Sequence, residues 1–165
     1  MTKQQKKIVA WLLSGVVLLV LLGSADTGKN VKNNDPIGHS DTVQTTVASY
    51  TLSDWSGQFR VTWETFMGHW NALAADFSSA DLVAITDECV NLHKDAANLE
   101  LLTNSPDAQL NAGVHKLSVD VADYAVKALL FSNEITDSNL ALATQASDAV
   151  GADTAVILAR LKALK

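Results

Sequence analysis

A chain of 165 residues, 48% of them apolar, has room for one folded domain plus a targeting element and enough apolar material for a core. Its one cysteine, Cys89, excludes an internal disulfide. The net charge is −6, and from residue 50 onward 15 carboxylates face 7 basic side chains, which excludes nucleic acid as a partner because phosphates would be repelled.

The first element is apolar. Ile8 to Ala25 is 18 residues without a charge, preceded by Lys3, Lys6 and Lys7. As a helix it reaches roughly 27 Å, just short of a bilayer core, and the flanking lysines extend that reach by snorkelling. The same residues parse as a secretory signal, with Gly23-Ser24-Ala25 supplying the small residues a signal peptidase reads. Basic residues before the run keep the N-terminus cytoplasmic, so everything from Asp26 onward is expected outside the cytoplasm. The expected location is therefore the cytoplasmic membrane, single-pass, or the secreted state if cleavage follows Ala25. Residues 1–25 form this signal-anchor unit. Residues 26–49 carry Gly, Asn, Asp, Ser and Thr with no apolar period, and His39 among them, and they read as a flexible spacer.

Residues 50–165 carry four apolar stripes at helical spacing. Leu52, Trp55, Phe59, Trp63, Phe66, Trp70, Leu73 and Phe77 define the first, with Thr51 or Ser53 able to cap its start. Ser78 and Asp81 then have the spacing of a capping box. Leu82, Ile85, Cys89, Leu92, Ala96 and Leu99 form the second stripe. In "TNSPD", Ser105 stands where an N-cap would and Pro106 where a first helical residue would. The third stripe runs Leu110, Val114, Leu117, Val121, Tyr124, Ala128 and Phe131. The fourth, Leu140, Ala143, Val150, Thr154, Ile157, Leu161 and Leu164, is interrupted by Gly151, which predicts a kink or a close helix contact there. Four long helices with short turns predict an all-α, antiparallel up-down-up-down four-helix bundle behind the membrane segment and spacer.

Three groups of residues are candidates for function. Seven of the ten aromatic residues lie between Tyr50 and Phe77. Trp63, Phe66 and Trp70 would line an apolar ligand pocket between helices, or simply fill the core against small partners such as Cys89, Ala96 and Ala143. His69, His93 and His115 fall on three helices at similar heights, which makes a zinc or copper site geometrically possible. The faces bearing Asp87, Glu88 and Asp95, and Asp120 and Asp123, are either solvated or offered to a basic partner. No glycine-rich phosphate loop, Gly-x-Ser-x-Gly elbow or haem-attachment motif occurs, so no cofactor and no catalysis are expected. The expectation is a membrane-tethered, extracytoplasmic, non-catalytic module that binds another envelope protein. The alternative is a binder of a small apolar ligand or a metal ion in or on the bundle.

Overall fold

The computed structural model describes residues 50–164, and the segments expected to be a signal-anchor and a spacer lie outside the described residues. Those described form four α-helices and no strand: α1 Leu52–Ser79, α2 Leu82–Glu100, α3 Ala108–Asn133 and α4 Asp137–Ala163. Among them, no helix is long and apolar enough to cross a membrane.

Each helix starts where a side chain can satisfy its free N–H groups. Thr51 caps α1 through a reciprocal box. Its hydroxyl oxygen accepts from the Asp54 N–H, and the Asp54 carboxylate accepts from the Thr51 N–H. The α1–α2 turn departs from the expected box. Ser78 remains inside α1, its hydroxyl bonded to the Ala74 carbonyl, and Asp81 itself caps α2 by accepting from the N–H groups of Val83 and Ala84. Ala80 makes the reversal in the left-handed region at φ 60°.

The start of α3 also differs from expectation. Ser105 and Pro106 stay in the loop, and Asp107 is the cap, accepting from Gln109 and Leu110. The buried Ser105 instead braces the loop. Its backbone exchanges two hydrogen bonds with the Asn111 side chain, and its hydroxyl accepts from the Asp107 N–H. A carboxylate outranks a hydroxyl here because it also meets the positive helix end as an anion. Arg160 of α4 reaches the same carboxylate, so Asp107 both starts one helix and ties down the end of another.

That double role has a pH consequence. The Arg160 hydrogen bonds, with those from the Leu110 and Gln109 N–H groups, hold the Asp107 carboxyl below its ordinary range. A carboxyl depressed in the folded state stabilises fully above its unfolded value and loses that contribution as pH falls through the folded one. Asp107→Asn keeps a capping oxygen but not the charge. It should therefore be less stable than wild type at neutral pH, and the gap should narrow as pH falls below about 4 and close at a pH below the depressed folded value. Urea midpoints at the two pH values, followed by circular dichroism, test this. An equal gap at both would remove the ion pair from the account.

Contacts fix the order of directions. The start of α1 meets the end of α2 where Trp55 reaches Leu102. The ends of α1 and α3 meet where Phe77 packs on Phe131, and α4 ends beside the start of α3 through Arg160 and Asp107. Directions alternate along the chain, and the closest backbone approaches are between consecutive helices. The result is a four-helix bundle.

The core follows the four stripes. Trp55, Phe59, Phe66, Leu73, Ile85, Leu92, Leu99, Leu110, Val121, Tyr124 and Ile157 are all buried. Large side chains on α1 lie in one core cluster with small ones from other helices, Cys89, Ala96, Ala125 and Ala146, as dense packing requires. The close helix contact expected at Gly151 occurs elsewhere. α4 runs unbroken through an exposed Gly151, where an added Cβ would meet nothing within 4 Å. A Cβ on Gly113 of α3, in contrast, would stand 3.1 Å from Cγ1 of Ile157. Gly113 therefore spares Ile157 a tight contact where α3 meets α4.

Candidate functional site

The aromatic stripe of α1 becomes a continuous column of rings. Successive centroids lie 5.1 Å apart for Trp55–Phe59, 6.1 Å for Phe59–Trp63, 5.1 Å for Trp63–Phe66 and 5.5 Å for Phe66–Trp70. Trp70 then stacks on Tyr124 of α3 at 4.3 Å. Trp63, Phe66 and Trp70 are thus buried with neighbouring rings against them. The Trp55 indole N–H donates to the Leu102 carbonyl at 2.7 Å, satisfying an acceptor that the end of α2 leaves free.

The three histidines do not converge. Nδ1 of His69 lies 2.6 Å from Oδ2 of Asp95, joining α1 to α2. Nδ1 of His115 lies 2.9 Å from both carboxylate oxygens of Glu100, joining α3 to α2. His93 is exposed. Among the described residues, no three His, Cys, Asp or Glu side chains come together in a way that could hold a metal ion. Spacing suggested similar heights along the bundle, but two of the rings meet separate carboxylates on α2, Asp95 and Glu100, five residues apart.

The acidic faces are also redistributed. Asp95 is not on a surface: it is only 2% exposed, under His69. Asp120 shares the Lys116 ammonium with Asp153 of α4, at 2.8 Å and 2.7 Å. Burial opposes the charge of both carboxylates. In Asp153 it wins and raises the pKa, while in Asp120 burial is the largest single influence but the hydrogen bonds with Lys116 and Asp153 and the nearby Lys116 and Lys127 charges together outweigh it and lower the pKa. Asp123 is exposed but pairs with Lys127 at 2.6 Å. Asp87 is exposed and Glu88 half-buried, and among the described residues neither forms an ion pair. Of the five acids, these two are the ones left to face a basic partner.

Two arrangements resemble catalytic parts and differ in chemistry. The Ser118 hydroxyl donates to Glu100 at 2.6 Å, and His115 bonds the same carboxylate. The order is hydroxyl–carboxylate–imidazole, so the imidazole is not placed to take the hydroxyl proton. The Ser118 hydrogen bond, followed by that of His115, lowers the Glu100 pKa. Burial, aided by nearby Glu88, pushes the Cys89 thiol up to about 11, which keeps it protonated and unreactive at neutral pH.

Two features were not anticipated from the sequence. Opposite the core, α2 carries Val83 and Val90, and α3 carries Val119, Val126 and Leu130, with exposures from 48% to 74%. Steps of seven and four place each set along one helix face, and Asp87 and Asp123 fall between them at i+4. The signal was present as valines on an otherwise polar face at heptad spacing. An open groove of about 510 Å³ also runs between α1 and α2, lined in part by Gly57, Val61, Thr62, Asp95, Asn98 and Leu101. Comparison of the chain with protein-family models, with curated proteins and with solved structures finds no match.

Proposed function

We propose that this chain is a non-catalytic protein-interaction module, held at the outer face of the cytoplasmic membrane by its N-terminal apolar segment and a spacer. The observation that carries the interaction reading is the pair of apolar ridges on the solvent side of α2 and α3. Valines and a leucine at helical spacing, outside a core that is already filled, are what a helix-packing partner would cover. Asp87 lies within the α2 ridge without an ion pair, so the partner should bring a basic group to that point. Tethering rests on the 18 uncharged residues from Ile8 to Ala25 and the lysines before them.

One experiment tests both halves. Cysteine placed at Val90 or Val126, with Asp148 as an exposed control on α4, is treated with a membrane-impermeant thiol crosslinker on cells whose cytoplasmic membrane is intact. Labelling at all three sites and crosslinking to one discrete envelope protein from Val90 and Val126 only are expected. Adding charge with Val83→Lys and Leu130→Lys should reduce that crosslink by about tenfold, a loss of about 1.4 kcal/mol. Labelling that requires lysis would end the extracytoplasmic reading. Crosslinks equal from Asp148, or indifferent to the lysines, would end the interaction reading.

A further inference from the structure

The two outward ridges carry charges that match each other. Along α2 the exposed residues Asp87, Val90, Lys94 and Ala97 alternate charge with apolar surface. Along α3 the exposed order is Val119, Asp123 and Val126, with the half-buried Lys127 beside them. Asp87 and Lys94 have no ion pair among the described residues, so the α2 ridge holds an unpaired charge of each sign. A partner that brought only basic groups would answer Asp87 and repel Lys94. Glu100 fixes the relative heights of the two ridges, because it accepts from the Ser118 hydroxyl and bonds His115. From that point Val90 lies ten residues along α2, about 15 Å, and Val126 eight to eleven along α3, about 12–17 Å. Lys94 and Asp123 share a height in the same way, at six residues and five to eight.

We propose that the occupant of both ridges is a second copy of this chain, related by a two-fold axis parallel to the helices, with α2 of each copy against α3 of the other. This rests on the interaction reading above and names the partner of the same surface. An axis in that direction preserves height, so the alignment of α2 with α3 inside one chain becomes the alignment between two. Val90 then meets Val126 of the second copy, Ala97 meets its Val119, and Lys94 meets its Asp123. Asp87 comes within about one helical turn of its Lys127. Along each seam the order is Lys94, Asp123, Lys127, Asp87, alternating in sign, and the seam occurs twice because the interface is isologous. A two-fold axis perpendicular to the helices would set α2 on α2, but it would put the two α1 starts at opposite ends. The parallel axis keeps them at one end, where tethers from a single membrane reach both.

The test uses the full-length chain in detergent micelles, with sedimentation equilibrium as the measure of dimer. Lys94→Glu alone and Asp123→Lys alone each bring like charges together at both seams, and each should weaken dimerisation by about tenfold or more. An equimolar mixture of the two should restore it, because the mixed dimer pairs opposite charges at both seams. Val90→Cys mixed with Val126→Cys should oxidise to a disulfide-linked dimer, and neither variant should do so by itself. The buried Cys89 thiol stays protonated and takes no part. All four substitutions are at exposed positions, so the helical spectrum should be unchanged. A monomeric wild-type chain, dimerisation indifferent to the charge changes, a mixture no tighter than its parts, or a Val90→Cys variant that links to itself would each overturn the proposal. If the purified chain is monomeric while Val90 and Val126 still crosslink to a different envelope protein in cells, the proposal fails and the interaction reading stands. Loss of the crosslinks in cells as well would end both.

Discussion

Phe66→Ala should destabilise the domain by about 3–5 kcal/mol, read as a fall in the urea midpoint at unchanged slope. Phe66 is 1% exposed, in the middle of the α1 column between Trp63 and Trp70. Its removal takes away the transfer free energy of the ring and leaves a void bounded by two rigid indoles. Rings of that size, fixed by further contacts on either side, collapse poorly into a gap, so the cost should fall at the upper end of the range. Val61→Ala, on the exposed face of the same helix, is the control and should change stability by about 0.5 kcal/mol or less. A cost below about 1 kcal/mol for Phe66→Ala would mean that the column is not a packed core, and the aromatic residues would then have to be explained by a ligand or partner.

His69→Ala should cost about 1–3 kcal/mol, because it leaves the buried Asp95 carboxylate with no donor at either oxygen. His69 is about one-third exposed, so water admitted by the truncation offsets part of the loss. The informative variant is the double one. Removing a single partner strands a buried charge, whereas replacing both with apolar groups removes the demand for a partner. His69→Ala with Asp95→Leu should therefore be more stable than His69→Ala alone, despite carrying one more substitution. A double variant that is simply the sum of its parts would show that the pair is not coupled.

The sequence made the four helices readable because each buries one face and repeats its apolar residues every three or four positions, as Leu110, Val114, Leu117 and Val121 do. Thr51 was readable as a cap for the same local reason. What depended on long-range geometry was not. Asp107 is chosen over Ser105 partly by Arg160, 53 positions away, and Gly113 matters only because Ile157 faces it. The placement of Asp95 was half legible. It sits three residues after Leu92 and four before Leu99, on the buried stripe, but its acidity argued for the surface until a histidine from another helix was seen to meet it. The outward ridges of α2 and α3 escaped for the opposite reason. Valines on a polar face look like scatter until burial separates them from the core, and the core here is complete without them.

The ring column also makes the domain its own optical instrument. Tyr124 lies 4.3 Å from Trp70 with the planes 24° apart, far inside the distance over which a tyrosine hands its excitation to an indole. In the native domain the emission of Tyr124 is therefore surrendered to α1, and it returns only when α1 and α3 part. Stacked neighbours with fixed mutual angles couple their electronic transitions as well, so the ultraviolet circular dichroism carries an aromatic contribution on top of the helical one. A spectrum analysed as backbone alone would misstate the helix content of a domain whose described residues are nearly all helical.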